Sequence, residues 1–218
     1  GQFAAAERES LIVATKAAYG GGAGRRNILD SLETSRKRMK MDVIDILYLH
    51  RWDGDTPLEE SFETLARLQS DGTIRHIAVS NFAAWQVVKA QGVAATFDTR
   101  IDMIQPMYSL DKRQAQGGTG RLTEDDRYAA RYAPDWMHAA ARGLSELASE
   151  VGLHPATLAV AWVASHPAVT APIISARNAQ QLAPSLAASD VTLDPDLMAR
   201  LTALTPTPAP ATDRLEEV

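Results

Sequence analysis

Residues 43–53, with the sequence VIDILYLHRWD, decide the fold of this chain. Six of the seven residues from 43 to 49 are apolar, a pattern typical of a strand that is buried on both faces. The apolar run ends at His50, and the polar residues Arg51 and Asp53 follow on either side of Trp52. The stretch therefore predicts a buried strand that ends on a histidine. It raises the hypothesis that this histidine belongs to a site at the strand end.

Strand-like and helix-like segments alternate along the rest of the chain. Short apolar runs predict strands at residues 11–16, 43–50, 74–81, 101–108 and 169–177, the fourth of which is broken by Gln105 and Pro106. Helical spacing, proline starts and glycine stops predict helices at residues 25–40, 57–72, 83–92, 142–152, 155–167 and 178–189. This alternation predicts an α/β fold with a parallel sheet covered by helices. Both a doubly wound sheet and a (β/α)8 barrel fit the pattern.

Four of the predicted strands end on polar side chains, those of Lys16, His50, Ser80 and Gln105. They are 34, 30 and 25 residues apart, and each interval is the length of one strand–helix unit. Barrel active sites are built from the carboxyl ends of several strands. The polar strand ends therefore favour a (β/α)8 TIM barrel.

The composition excludes several classes of function. The 218 residues carry a net charge of −5 without a lysine- or arginine-rich run, so we expect no nucleic-acid partner. No cysteine is present, which excludes disulfides and thiol chemistry within these residues. No apolar stretch approaches the roughly 20 residues of a membrane helix, so we expect a cytoplasmic protein without a membrane partner. His138, His154 and His166 lack the spacing of metal ligands, so we expect no metal site.

Five fragments in order give the chain its resemblance to a known family. ATK closes the first strand, YLHRWD the second and IAVSNF the third, and IQPMYSL and PIISARNAQQL follow. In this order and spacing they resemble the aldo-keto reductase family, and most closely its bacterial NADPH-dependent branch. The resemblance implies a single (β/α)8 TIM-barrel domain over residues 1–218. It also implies an oxidoreductase that transfers a hydride between NADPH and a small aldehyde or ketone.

The resemblance also assigns roles to residues of this sequence. It implies that Lys16 and His50 are two of four catalytic residues. Ser80, Asn81 and Gln105 would hold the nicotinamide carboxamide, and Ser175, Arg177 and Gln181 would contact the adenosine phosphate end of the cofactor. Arginine suits a ribose 2′-phosphate, which favours NADPH over NADH.

The residue types suit this chemistry. Hydride delivery to a carbonyl leaves an alkoxide that must gain a proton. A histidine can orient the carbonyl through a hydrogen bond. A cationic lysine lowers the pKa of a neighbouring tyrosine and makes it a usable acid.

The same resemblance implies that parts of the barrel are absent from these 218 residues. The family's catalytic aspartate and proton-donating tyrosine lie before the ATK strand, and Tyr19 does not occupy that tyrosine's place. Only five of eight strands are predicted. We expect about 80 residues to be absent before Gly1 and about 30 between Gln116 and Gly117, given the length of a strand–helix unit.

Several residues have a second interpretation that the sequence leaves open. Trp52 either lines a substrate pocket or packs beneath its loop. Ser80 and Asn81 either bind cofactor or cap the following helix. The GGGAG stretch at residues 20–24 lacks the lysine and hydroxyl of a phosphate loop, so we interpret it as a connector. The alternative function is a nicotinamide-binding regulatory or scaffold subunit with little or no turnover.

Overall fold

The computed structural model describes residues 7–110 and 135–206 of the chain, the side chain of residue 135 excepted. One sequence prediction, the absence of about 30 residues between Gln116 and Gly117, lies outside the described residues. The chain divides into two compact units, Gly1–Met107 and Tyr108–Val218. The single barrel domain over residues 1–218 stays a prediction.

The first unit contains a parallel sheet of four strands in the order β1-β2-β3-β4. The strands are β1 (Ala14–Ala17), β2 (Ile44–Leu49), β3 (Ile74–Ser80) and β4 (Met103–Gln105). A parallel sheet with a helix after each of its first three strands is the α/β arrangement that the sequence predicts. The register pairs Lys16 with Tyr48, and Ser80 with Gln105. The carboxyl ends of all four strands therefore lie at one edge of the sheet.

Three helices follow the first three strands: α1 (Arg25–Met39), α2 (Leu58–Ser70) and α3 (Ala84–Ala95). Lys40 follows the last residue of α1 and adopts the left-handed conformation. Gly72 lies after the end of α2 and has φ of +71°. The prediction that α3 ends at Gly92 is wrong, because the helix continues to Ala95. A single exposed glycine inside a helix costs only about 1 kcal/mol relative to alanine. Burial of Ala90 and Ala94 on either side of it offsets that cost.

The core of the first unit lies between one face of the sheet and these helices. Side chains of a strand alternate between its two faces, so Leu47 and Leu49 of β2 share one face. They pack in one cluster with Ile28 of α1 and Phe62 of α2. Lys16 and Tyr48 have the opposite parity and point to the other face of the sheet. The candidate site residues thus occupy the face that α1 and α2 do not cover.

The second unit is helical in its described part. It contains α4 (Asp135–Glu150), α5 (Pro155–Ala164), α6 (Ala179–Leu186) and α7 (Pro195–Thr202). Leu144, Leu158, Trp162 and Leu201 form the centre of its buried cluster. Helix α7 is not among the sequence predictions. Its signal was nevertheless present, since Pro195 opens the helix and the Asp194 carboxylate accepts a hydrogen bond from the Leu197 N–H at 2.9 Å.

The prediction of a strand at residues 169–177 is wrong. This segment contains no strand in the described part of the chain. An extended segment becomes a strand only where a neighbour accepts and donates its backbone hydrogen bonds, and the described second unit contains no other strand. Ile173 is accordingly 72% exposed.

The described helices differ from membrane-spanning helices in length and hydrophobicity. None of them is by itself long and apolar enough to cross a membrane. One pair, the helices that end at Glu150 and Ala164, passes only when taken together, and it is bent by 100°.

Candidate active site at the carboxyl ends of the strands

The structure brings five of the predicted site residues to one edge of the sheet. Lys16 lies near the end of β1, His50 directly follows β2, and Ser80 and Gln105 end β3 and β4. Asn81 follows Ser80. The His50 N–H donates a hydrogen bond to the Ala17 carbonyl at 2.8 Å, so the backbone pairing of β1 and β2 sets the position of His50.

Asn81 connects the ends of three strands. Its side-chain Nδ2 donates to the His50 carbonyl at 2.8 Å and to the Ser80 Oγ at 3.1 Å. The Ser80 hydroxyl donates in turn to the Gln105 carbonyl at 3.1 Å. Asn81 has φ of +57°, a left-handed conformation that asparagine tolerates better than most residues. These bonds hold His50, Ser80 and Gln105 in a fixed relation to one another.

The interpretation of Ser80 and Asn81 as helix caps is wrong. Helix α3 begins at Ala84, and its N-cap position is Ala83. The Gln86 Oε1 accepts a hydrogen bond from the Ala83 N–H at 2.7 Å, so the helix start is closed by Gln86. Ser80 and Asn81 instead bond to the neighbouring strand ends.

The site holds His50 in its neutral form near neutral pH. Partial burial lowers the pKa of His50 below its ordinary value, and the positive charges of Lys16 and Arg51 lower it further. Burial also lowers the pKa of Lys16 and raises that of Tyr48. The Lys16 Nζ lies 5.3 Å from the centre of the Tyr48 ring. A neutral imidazole still carries one N–H group, which can donate a hydrogen bond to a carbonyl oxygen.

Trp52 packs in an aromatic cluster on the loops that follow β2 and β3. Its ring lies 5.4 Å from that of Phe82 and 5.5 Å from that of Trp85, which is 49% exposed. The Lys89 Nζ lies 5.9 Å from the Trp52 ring. Trp52 also packs against the core cluster of the first unit. Packing within the loops is therefore observed, and a substrate-pocket role for Trp52 stays a prediction.

The glycine-rich loop at residues 20–24 is a connector, as predicted. The Asp53 carboxylate accepts hydrogen bonds from the Ala23 N–H and from the Thr56 hydroxyl, both at 2.6 Å. The Glu60 carboxylate accepts from the Arg25 N–H at 2.8 Å. The backbone N–H groups that a bound phosphate would need as donors thus already donate to protein carboxylates. Burial acts to raise the pKa of Asp53, but its hydrogen bonds to Thr56 and Ala23 outweigh this and lower it.

The remaining predicted site residues lie in the second unit, at the start of α6. Ser175, Arg177 and Gln181 are all exposed. The Gln181 Oε1 accepts a hydrogen bond from the Arg177 N–H at 3.2 Å, and the Asn178 Oδ1 accepts from the Gln181 N–H at 2.9 Å. The structure thus brings Arg177 and Gln181 together around the N-cap of one helix. Their phosphate-binding role stays a prediction.

The strand ends fit the carboxamide of a nicotinamide ring. A carboxamide needs an acceptor for its NH2 group and a donor for its oxygen, and side-chain amides supply both. Gln105 is half-buried beside Ser80, and its side-chain amide makes no hydrogen bond within the described residues. The described part of the chain contains no group of three or more metal-ligating side chains. The polar groups at the strand ends are of the kind that a carboxamide needs as hydrogen-bond partners.

Comparisons with known proteins identify the family of this chain. A model of the aldo/keto reductase family matches residues 1–126 and 118–206. A probable voltage-gated potassium channel subunit beta from Oryza sativa subsp. japonica is 28% identical, with 90% of this chain aligned to 74% of the relative. L-glyceraldehyde 3-phosphate reductase of Escherichia coli (strain K12) is 26% identical, with 82% of this chain aligned to 64% of the relative. An uncharacterised oxidoreductase, YrpG of Bacillus subtilis (strain 168), is 29% identical, with coverages of 81% and 63%.

The relatives include both reductases and channel subunits, so the comparisons assign a family and leave the activity to be derived from the site. Members of this family are oxidoreductases that generally use NAD(P)H and share a (β/α)8 barrel. The four parallel strands described here, with polar side chains at their carboxyl ends, are part of such a barrel. Since the family model matches most of its residues, this chain belongs to the aldo/keto reductase family.

Proposed function

We propose that this chain forms part of an NADPH-dependent carbonyl reductase, which acts as an alcohol dehydrogenase in the reverse direction. The observation that carries the proposal is the convergence of Lys16, His50, Asn81 and Gln105 at one sheet edge. The hydrogen bonds of Asn81 to the His50 carbonyl and Ser80 hydroxyl give this edge a defined geometry. Two of the relatives are named as a reductase and an oxidoreductase, which supports the same class of reaction.

The residues of the chain divide the catalytic work. The neutral His50 imidazole donates a hydrogen bond to the substrate carbonyl and orients it. Lys16 is a partly buried cation, and its charge favours the deprotonated form of a nearby proton donor. By resemblance that donor is a tyrosine paired with an aspartate. Reduced nicotinamide, when bound, supplies the hydride.

Cofactor-binding roles are proposed for residues of each unit separately. Gln105 and Asn81 hold the carboxamide in the first unit. Ser175, Arg177 and Gln181 bind the 2′-phosphate of the adenosine ribose in the second. The Arg177 guanidinium forms no ion pair within the residues described, so its charge is available to a phosphate. This preference for NADPH over NADH is the sharpest consequence of the proposal.

A steady-state assay tests the proposed function. The purified full-length protein is given 4-nitrobenzaldehyde with NADPH or NADH, and loss of absorbance at the nicotinamide band is followed. We expect turnover with NADPH, a loss of at least 100-fold in kcat for His50→Ala, and a rise of about tenfold or more in the NADPH KM for Arg177→Met. Arg26→Met, at a 97% exposed side chain of α1, is the control and leaves both constants unchanged.

Absence of turnover with a panel of simple aldehydes and ketones would refute the reductase proposal. An equal effect of Arg177→Met on NADPH and NADH would refute the role of Arg177 at the 2′-phosphate. We also propose a cytoplasmic location, which fractionation of the source cells tests directly.

A second function is favoured by one comparison. The relative aligned over 90% of this chain is named as a probable potassium channel subunit beta. On that likeness, the chain belongs to a nicotinamide-binding regulatory or scaffold subunit with little or no turnover. Tight NADPH binding, measured by quenching of tryptophan fluorescence, together with no aldehyde reduction would favour this function. Binding together with turnover would favour the reductase.

A further inference from the structure

A tyrosine and an arginine lie next to His50, and the reductase chemistry does not use them. Directly after β1, Ala18 adopts a left-handed conformation with φ of +66° and turns the following residue, Tyr19, toward His50. The Tyr19 and His50 ring centres lie 4.8 Å apart. The guanidinium carbon of Arg51 lies 5.9 Å from the Tyr19 ring centre. We call these three residues the His50–Tyr19–Arg51 stack.

The stack places a positive charge near His50, the residue proposed to orient the carbonyl. The Tyr19 ring lies close to both the imidazole and the guanidinium. Arg51 is exposed and forms no ion pair within the described residues. The acidic residue nearest in sequence is Asp53, and its carboxylate already accepts hydrogen bonds from the Ala23 N–H and the Thr56 hydroxyl. Arg51 is therefore an exposed cation beside the Tyr19 ring, without an anionic partner among the described residues.

This cation stands out against the charge of the whole chain. The 218 residues carry a net charge of −5, yet the charged groups that act on His50 are Lys16 and Arg51, both positive. A cationic surface around a reactive group raises the local concentration of anionic ligands. An arginine also offers a planar pair of donors that matches a carboxylate or phosphate. Contact with the Tyr19 ring limits the conformations of Arg51 and so lowers the entropic cost of binding.

We infer that Arg51, in contact with the Tyr19 ring near His50, binds an anionic group on the carbonyl substrate, a carboxylate or a phosphate. This inference rests on the proposed function, because it names the substrate class of the same site. Arg51 is a specificity-determining residue, and Tyr19 is the residue that positions it. Neither takes part in the hydride or proton transfer.

A pair of substrates that differ only in charge tests the inference. 4-Formylbenzoate carries a carboxylate across the ring from the aldehyde, and 4-formylbenzamide is its neutral counterpart. In the full-length protein we expect kcat/KM to favour the benzoate, and Arg51→Met to reduce that preference at least tenfold. Arg51→Lys keeps the charge without the planar fork and is expected to retain part of the preference. Added salt lowers the preference of the native protein more than that of Arg51→Met.

A variant of a neighbouring cation, Lys89, distinguishes a direct contact between Arg51 and the substrate from a general effect of positive charge. Lys89 lies over Trp52 and is not part of the stack. We expect Lys89→Met to change the charge preference less than threefold. An equal loss in Arg51→Met and Lys89→Met would overturn the assignment to Arg51. An unchanged preference in Arg51→Met would overturn it as well, while leaving the reductase proposal intact.

A binding measurement keeps the inference testable if the reductase proposal fails. Calorimetric titration of the native protein with 4-formylbenzoate needs no turnover. At least tenfold weaker binding to Arg51→Met than to native protein, with 4-formylbenzamide affected less, supports the anion site. Equal binding of the benzoate to native protein and Arg51→Met refutes it.

Discussion

The two units of the chain hold their candidate site residues in different ways. In the first unit, strand register and the Asn81 hydrogen bonds connect His50, Ser80 and Gln105 across three strands. In the second, Arg177 and Gln181 are exposed and are tied together only around the start of α6. The comparison teaches that several strands together fix the positions of the side chains proposed to act on the substrate. The side chains proposed to bind a phosphate are positioned by the start of one helix only.

The largest expected effect comes from removing a core side chain from each unit. Phe62 of α2 and Leu201 of α7 are both fully buried. We expect Phe62→Ala to lower the free energy of unfolding by about 3–5 kcal/mol and Leu201→Ala by about 2–5 kcal/mol, because each leaves a cavity. Urea denaturation followed by circular dichroism and by tryptophan fluorescence measures both. If the two units unfold separately, each variant shifts only the part of the unfolding transition that belongs to its own unit. A shift of the whole transition in either variant would contradict separate unfolding.

A second comparison sets Asn81 against Asn178. Asn81→Ala loses the bonds to the His50 carbonyl and Ser80 hydroxyl and places alanine at φ of +57°. We expect a loss of about 1–3 kcal/mol in stability, and a larger loss of activity than stability alone explains. Asn178→Ala removes one N-cap bond and costs about 1 kcal/mol. Asn81→Gly is the control, since it relieves the backbone strain and keeps the loss of the side chain. Equal effects of the two alanine variants on activity would contradict the distinction between the units.

Two glycines of the connector provide a matched pair. Gly22 has φ of +78°, and a Cβ there would lie 2.9 Å from the Asp53 Oδ2. Gly20 has open space around its missing Cβ. We expect Gly22→Ala to cost about 1–2 kcal/mol of stability and Gly20→Ala to be close to neutral. Equal midpoints of thermal unfolding for the two variants would show that Asp53 does not constrain the loop.

The smallest effect expected is the pH dependence that His50 contributes. Burial, Lys16 and Arg51 hold the pKa of His50 below its ordinary value, so the unfolded chain binds this proton more readily than the folded protein does. Stability from this group is therefore present above about pH 6.5 and is lost as the pH falls below it toward the folded pKa. Urea denaturation between pH 7.5 and 5 should show a shallower loss for His50→Gln than for native protein. The same slope in both would contradict the expectation.

Much of the first unit was predictable from local pattern. The strand ends at Lys16, His50, Ser80 and Gln105 stand in the sequence as apolar runs that stop on polar residues. The connector at residues 20–24 was also recognisable. The continuation of α3 past Gly92 was not predictable from local pattern. Burial of the neighbouring alanines offsets the low helix propensity of this glycine.

The second unit shows the opposite outcome for the same kind of pattern. Residues 169–177 have the composition of a strand, yet in the described structure they pair with no neighbour. Strand formation depends on a partner far away in sequence, which local composition does not reveal. Helix α7 was missed although its Asp194 cap and Pro195 start are local signals.

The sequence by itself determined the alternation of strands and helices, the polar strand ends and the family. It did so because apolar periodicity and residue chemistry are properties of short segments. Only the tertiary structure decided that Asn81 bonds across three strand ends, that Asp53 closes the glycine-rich connector, and that Tyr19 and Arg51 stack beside His50. These contacts join residues whose spacing in sequence carries no signal. Parallel strand register brings them together in space.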